Sequence, residues 1–164
     1  MNDVLFRERE TMKQMKKIMI GCGIFVAVLA VAGISKILFV DWTRTKGQSV
    51  EIDGQIFQVE LATTSIEQAR GLSGRASLAP DAGMLFVFSS MTSPSFWMHG
   101  MEFPLDIIWI SGGKIVGIAK NLPPATFGET TIYDPPQPVD RVLEINAGLS
   151  DRYGFRIGDA VTLP

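Results

Sequence analysis

One acidic residue lies inside an otherwise apolar segment. Asp106 is the only charged residue in the stretch 104–110, and strand alternation would place it on the same face as Ile108. A carboxylate among apolar neighbours is costly unless it is paired or hydrogen-bonded. We therefore expect a buried ion pair with Arg70 or Arg75, or a clamp on backbone groups, and we keep a ligand-facing acid as the alternative.

Two arrangements of residues could support hydrolysis. Glu144 is a second acid flanked by apolar residues, and together with Asp106 it would resemble the carboxylate pair of a glycosidase. His99 is the only histidine, so a Ser-His-Asp triad would need it, with Ser93 or Ser95 as the nucleophile. The sequence contains no Gly-x-Ser-x-Gly nucleophile elbow. We therefore rank a carbohydrate-active hydrolase below a binding module, and a serine hydrolase lower still.

Three methionines surround the single histidine. Met91, Met98 and Met101 with His99 supply thioether and imidazole groups, which suit Cu(I) outside the cytoplasm. In a strand, however, Met98 and His99 would point to opposite faces, and methionine often fills cores. Copper binding is therefore a further alternative, and we assign no metal site and no cofactor.

Aromatic residues could form an apolar cleft beside a proline-rich segment. Trp97 and Tyr133 could stack on a sugar or a peptide, and Arg70 could contact an anionic group. The predicted ligand-binding residues are Arg70, Trp97, His99, Asp106, Tyr133 and Glu144.

The carboxy-terminal part of the chain has short β-branched and aromatic runs separated by glycine and proline, which is typical of all-β domains. Residues 50–52 and 57–61 flank Asp53-Gly54 and predict a hairpin on a two-residue turn. Residues 84–88 are apolar on both faces and predict a central strand. Further strands are predicted at 95–98, 105–110, 114–118, 142–145 and 160–163.

Two short helices and one long loop complete the predicted domain. Thr64 and Glu67 form a capping-box pattern ahead of Gly71, which predicts a short helix between them. A second short helix is predicted within 148–154. Residues 121–140 contain five prolines, so we predict an ordered loop there, and such loops often carry function.

The amino-terminal part of the chain predicts a membrane anchor. In residues 18–40, 18 of 23 residues are apolar. A helix of that length would measure about 35 Å, enough to cross a hydrocarbon core of about 30 Å. More basic residues precede this span than follow it, so we expect a cytoplasmic amino terminus and a domain outside the cell membrane.

The predicted organisation is a basic head (1–17), a single transmembrane helix (18–40), a linker (41–49) and an extracytoplasmic domain (50–164). A cleavable signal peptide is the alternative, because translation from Met12 would place Ala30-Val31-Ala32 at a cleavage position. The domain would then be secreted or periplasmic.

Charge and cysteine content limit what the domain can bind. From residue 47 onward the chain has 7 basic and 13 acidic residues, a net charge of −6. Phosphate backbones repel such a domain, so we do not expect nucleic acid as a partner. The only cysteine, Cys22, lies in the apolar span, so the domain has no disulfide or thiolate chemistry.

An ordered series of motifs covers most of the domain. The motifs are Arg70-Gly71-Leu72, Gly83-Met84-Leu85-Phe86-Val87-Phe88, Phe96-Trp97-Met98, Pro104-Leu105-Asp106-Ile107-Ile108 and Val142-Leu143-Glu144. Over residues 56–163 the sequence resembles the family catalogued as domain of unknown function 192. The resemblance implies a compact β-sandwich or barrel of jelly-roll type, often behind a signal peptide or anchor, and implies no activity. That family usually places Lys or Arg where His99 stands here, so we expect no role that needs a fixed cation there.

The sequence as a whole predicts a mainly β domain, a jelly-roll-like sandwich or barrel with one or two short helices, behind one transmembrane helix. We expect a membrane-anchored module that binds a ligand or a partner and does not catalyse a reaction. The bilayer itself is its first expected partner.

Overall fold

A computed structural model describes residues 48–126, 128 and 131–164. The predicted head, the apolar span and residues 41–47 of the linker lie outside the described residues, as do positions 127, 129 and 130 of the proline-rich loop. Within the described ranges, no helix is both long enough and apolar enough to cross a membrane.

Strands dominate the described part of the chain, and the predicted mainly β domain with short helices is confirmed. In order, its elements are β1 (Ser49–Ile52), β2 (Gln55–Ala62), α1 (Ser65–Arg70), β3 (Ala82–Thr92), β4 (Leu105–Ser111), β5 (Lys114–Leu122), β6 (Val139–Asn146), α2 (Leu149–Tyr153) and β7 (Val161–Thr162).

The seven strands form one sheet in the order β5-β4-β6-β3-β2-β1-β7. All neighbouring strands are antiparallel except β2 and β3, which are parallel and are joined by a crossover that contains α1. A single bridge between Lys114 and Ala160 links the two ends of the sheet, so the sheet curls into a half-barrel. Of the two predicted forms, a jelly-roll-like sandwich or a barrel, the single curled sheet is nearer to the barrel, because a sandwich would have two packed sheets.

Each face of the sheet has its own hydrophobic core. The inner core contains side chains from all seven strands, for example Val50, Leu85 and Ile108. Side chains from every strand of one sheet can meet only on its concave face, so this core lies inside the curl. The outer core lies on the other face of β3, β4 and β6, where residues such as Phe86 and Ile107 pack under the long connections. Alternating residues of one strand therefore enter different cores.

Local signals explain the turn between β1 and β2 and the start of α1. Asp53 and Gly54 both have positive φ (48° and 77°), as a two-residue hairpin turn requires, so the predicted hairpin is confirmed. Thr64 and Glu67 form the predicted capping box at the start of α1.

The strand predicted at 95–98 was wrong. This segment follows Pro94, which cannot donate a ladder hydrogen bond, and it crosses the outer core as an irregular chain. Its one sheet-like contact is a bridge between Phe96 and Tyr133.

Candidate functional site

A pocket opens on the outer face of the sheet, between α1 and the segment 94–97. We call it the lateral pocket, and its volume is about 210 Å³. It is lined by Gln68, Ala69, Arg70, Gly71, Leu72, Ser73, Phe86, Phe88, Pro94, Ser95, Phe96, Trp97, Met101 and Glu144. Among the described residues of this lining, Glu144 is the only acidic one and Arg70 the only basic one.

Two glutamine hydrogen bonds fix the wall that α1 contributes. The Nε2 of Gln68 donates to the backbone oxygen of Ala62 at 3.2 Å and to that of Val87 at 2.9 Å. These contacts tie α1 to the last residue of β2 and to the middle of the neighbouring strand β3. The helix ends at Gly71, whose φ of +51° favours glycine.

Glu144 brings a buried carboxyl group to the pocket. It lies on β6 opposite Met84 of β3 and Ile107 of β4, and 6% of the residue is exposed. Its Oε2 is buried and has no hydrogen-bond partner among the described residues. A β-carbon placed on Gly71 would lie 3.8 Å from this oxygen and 3.5 Å from Cζ of Phe86. The missing side chain at position 71 therefore leaves space beside the carboxyl.

Burial raises the pKa of the Glu144 carboxyl from 4.5 to about 8, and the charge of Arg75 opposes part of that rise. Arg75 itself is held by Glu60, to which it donates two hydrogen bonds, one of them from Nη2 to Oε2 at 2.8 Å. The pKa of Arg75 is raised, chiefly by this hydrogen bonding. Because Glu60 occupies the guanidinium, Glu144 is left without a hydrogen-bonded counter-ion.

Aromatic rings form much of the remaining wall. Phe86 and Phe96 meet edge to face, with ring centroids 5.0 Å apart and an interplanar angle of 83°. Trp97 stands at the mouth with 48% of the residue exposed. Arg70 is also exposed, and its side chain makes no ion pair with the described residues. The pocket thus combines an apolar wall, an exposed cation and a buried acid.

The structure brings together three of the six predicted site residues. Arg70, Trp97 and Glu144 line the lateral pocket, whereas His99, Asp106 and Tyr133 are absent from its lining.

Asp106 acts as a clamp on backbone amides. Its Oδ1 accepts hydrogen bonds from the backbone nitrogens of Asn121 at 2.8 Å and Gly148 at 3.1 Å, and its Oδ2 accepts one from Ser150 at 2.8 Å. The residue is fully buried and ties the end of β5 to the start of α2. The clamp agrees with one of our two structural expectations, whereas no ion pair joins Asp106 to either Arg70 or Arg75.

The two acids of the proposed glycosidase pair lie on opposite faces of the sheet. In the register of β4 and β6, Asp106 is opposite Ile145 of the inner core, and Glu144 is opposite Ile107 of the outer core. Two carboxyl groups separated by the sheet cannot flank one glycosidic bond.

The remaining predicted residues lie outside the pocket. His99 is exposed, and its backbone oxygen accepts a hydrogen bond from Oγ of Ser73 at 3.1 Å. Tyr133 is half-buried against the outer core. Met98 and Met101 are buried in that core, whereas Met91 is 53% exposed.

No three His, Cys, Asp or Glu side chains of the described residues are grouped so that they could hold a metal ion.

Sequence reasoning missed the residues that shape the pocket. Gly71 was recognised as a helix end, and Phe86 as part of a central strand, but neither was linked to Glu144. The one sequence signal that could have placed Gly71 at the site is its position next to the predicted site residue Arg70 in a single motif. The spatial link depends on the pairing of β3 with β6, which no local pattern specifies.

The fold and the site define a class of protein: a small half-barrel β domain with a lateral pocket that contains one buried acid. The family model DUF192, described as an uncharacterized ACR, matches residues 48–163. The chain belongs to this family, as its motifs predicted.

Two solved structures are similar to this chain. A protein of unknown function from Novosphingobium aromaticivorans is 37% identical, with a TM-score of 0.65, over 70% of this chain and 83% of its own. A protein from Sinorhizobium meliloti, provisionally named a transcription regulator, is 34% identical, with a TM-score of 0.65, over 71% of this chain and 92% of its own. A search among curated proteins found no match.

Proposed function

We propose that this domain is a binding module whose lateral pocket receives a small ligand or one side chain of a partner. The observation that carries the proposal is the unpartnered, buried Oε2 of Glu144 beside the pocket. A buried polar atom without a partner costs about 1–3 kcal/mol, so a ligand that satisfies the carboxyl would recover part of that cost.

The size of the pocket limits what can enter it. Pockets for drug-sized ligands measure about 300–1,000 Å³. The lateral pocket is smaller, at about 210 Å³, and suits a compact molecule or a single side chain. Trp97 at its mouth could cover the part of the ligand that stays outside.

The groups around the pocket favour binding over catalysis. The described part of the pocket lining offers Glu144 no second acid, which a glycosidase would need. The hydroxyl of Ser95 donates to Oδ1 of Asp134 at 2.7 Å, and that of Ser73 donates to the backbone of His99. Ser95 thus meets a carboxylate and Ser73 a backbone oxygen, so neither serine is hydrogen-bonded to the histidine side chain that a Ser-His-Asp triad needs.

We do not extend the provisional name of the Sinorhizobium meliloti protein to this chain. The net charge of −6 from residue 47 onward opposes contact with phosphate backbones.

A set of pocket variants tests the binding proposal. Ala69 lines the pocket from an exposed position on α1, so Ala69→Trp should fill the mouth, whereas Ala76→Trp makes the same change at an exposed position outside the lining. A library of small fragments would be screened by ligand-observed NMR against the full-length protein in detergent. We expect fragments that bind the wild type and Ala76→Trp but bind Ala69→Trp at least tenfold more weakly. A screen without hits, or hits that bind both variants equally, would contradict the proposal.

We also propose that residues 18–40 anchor the domain at the outer side of the cell membrane. The apolar composition of that span and its basic flank support this placement. Carbonate extraction of membranes, followed by protease treatment of intact cells, tests it. An anchored protein stays in the pellet and loses its domain to the protease. Release into the soluble fraction with a new amino terminus after Ala32 would support cleavage instead.

A further inference from the structure

We infer that the lateral pocket selects a primary ammonium group on an apolar stem, with the nitrogen directed to the Glu144 carboxyl and the stem against the aromatic wall. This inference rests on the proposed binding function and names the chemical class of the ligand. The shared chemistry is that of a free alkylamine and of a lysyl side chain.

Three features of the molecule favour a cation over other ligands. The carboxyl of Glu144 can act as an acceptor for N–H donors, and its Oε2 is unused. The rings of Phe86, Phe96 and Trp97 line the same pocket and give the apolar stem of the ligand a surface to pack on, and a cation over the face of such a ring is attracted by about 0.5–2 kcal/mol. The negative charge of the whole domain raises the local concentration of cations.

The two arginines nearest to the pocket do not take the place of a cationic ligand at the Glu144 carboxyl. Arg75, from the loop after α1, is held by Glu60 of β2. Arg70, at the end of α1, is exposed at the mouth, where solvent and salt screen its repulsion of an incoming amine. A ligand that also carries a carboxylate would find a partner in Arg70.

Binding of an ammonium should release one proton. In the free pocket at pH 7, Glu144 is mainly a neutral acid, because burial raises its pKa to about 8. The ammonium keeps its three hydrogens, the O–H bond of Glu144 breaks, and its proton goes to solvent. The association constant should therefore rise about tenfold per pH unit between pH 6 and 8, and level off above pH 8 until the amine itself loses its proton near pH 10.

An uncharged hydrogen-bond acceptor would behave in the opposite way. It would accept the proton of neutral Glu144, so it would bind best below pH 8 and weaken above it. The direction of the pH dependence thus separates the two ligand classes.

Calorimetry on the full-length protein in detergent can measure this difference. The probes are n-butylammonium, 2-butanone as an uncharged hydrogen-bond acceptor of similar size, and Nα-acetyl-lysine amide as a lysyl side chain. Glu144→Gln keeps the shape of the side chain but cannot ionise, and Glu102→Gln makes the same change on an exposed acid outside the pocket. Titrations at pH 6, 7, 8 and 9, in buffers of different ionisation enthalpy, give the number of protons released.

We expect n-butylammonium to release about 0.9 protons at pH 7 in the wild type and in Glu102→Gln, as a pKa of about 8 requires. Glu144→Gln should bind it at least tenfold more weakly and release no proton. If the lysine derivative binds more tightly than n-butylammonium, the ammonium group that the pocket selects is that of a lysyl side chain. If n-butylammonium binds more tightly, the ligand is a small free amine. Both results agree with the inference.

The inference fails if amine binding involves no proton release, or if 2-butanone binds better than n-butylammonium and Glu144→Gln retains that binding. It also fails if neither amine binds while other fragments do. None of these results contradicts the proposed binding function. That proposal has its own test, and it would be contradicted if fragments bound Ala69→Trp and Ala76→Trp equally.

Discussion

Replacement of Glu144 by glutamine should remove a large pH dependence from the stability of the domain. In the wild type, burial holds the pKa of this carboxyl at about 8, compared with 4.5 for an exposed glutamic acid. Glutamine has nearly the same shape but no ionisable proton. The variant therefore isolates the free energy of burying this one acid.

The size and sign of the effect follow from the two pKa values. Below pH 4.5 the carboxyl is protonated in both the folded and the unfolded chain, so its ionisation takes nothing from the free energy of unfolding. Between pH 4.5 and about 8 the unfolded chain ionises first, and the free energy of unfolding falls by about 1.4 kcal/mol per pH unit. The total loss approaches about 5 kcal/mol, and about 3 kcal/mol is lost by pH 7.

Urea unfolding of the full-length protein in detergent, followed by tryptophan fluorescence, can measure this change between pH 5 and 8.5. The quantity of interest is the free energy of unfolding of Glu144→Gln minus that of the wild type, because other titrating groups cancel in this difference. It should grow steadily with pH, whatever fixed offset the amide introduces. Glu102→Gln, on an exposed acid, should show no such slope.

A difference that stays constant between pH 5 and 8.5 would refute the reasoning. It would mean that Glu144 ionises equally easily in the folded and unfolded chains, so that water or another group reaches its carboxyl in the folded state.

Three further substitutions have defined outcomes. Asp106→Asn should lower the free energy of unfolding in urea by about 3 kcal/mol, because its NH₂ group would face backbone N–H groups that now donate hydrogen bonds to the carboxylate. A loss below about 1 kcal/mol would contradict the clamp. Gly83→Ala should cost about 2 kcal/mol in the same assay, because its β-carbon would lie 2.8 Å from the backbone oxygen of Glu144; unchanged stability would show that β3 and β6 can separate freely. Arg75→Met removes the charge that lowers the pKa of Glu144, so this pKa should rise further in a ¹³C NMR titration, and a fall would contradict the assigned electrostatics.

The elements that sequence predicted correctly depend on local signals. The turn at Asp53-Gly54 needs two residues that tolerate positive φ, and the helix start needs the reciprocal bonds of Thr64 and Glu67. Alternation likewise placed Asp106 on the face of Ile108, which lies in the inner core. Each of these features involves residues a few positions apart.

The features that sequence did not predict depend on pairing between distant segments. The parallel alignment of β2 with β3 arises because α1 packs in the crossover between them, and no local pattern reports it. The amides that bind Asp106 come from positions 121, 148 and 150, which only the folded sheet brings together. The lateral pocket likewise combines α1, β3, β6 and the segment 94–97.

Asp106 and Glu144 share one sequence pattern but have different environments in the folded domain. Each is an acid within an apolar strand, and a carboxyl in that position must be satisfied or neutralised. Asp106 is satisfied by three backbone amides, so its burial helps to hold β5 and α2 together. Glu144 keeps an unpaired oxygen next to a pocket, and burial raises its pKa. The sequence can therefore identify acids that will be buried. The number of hydrogen-bond donors around each carboxyl group in the folded domain then decides whether that acid stabilises the fold or can bind a ligand.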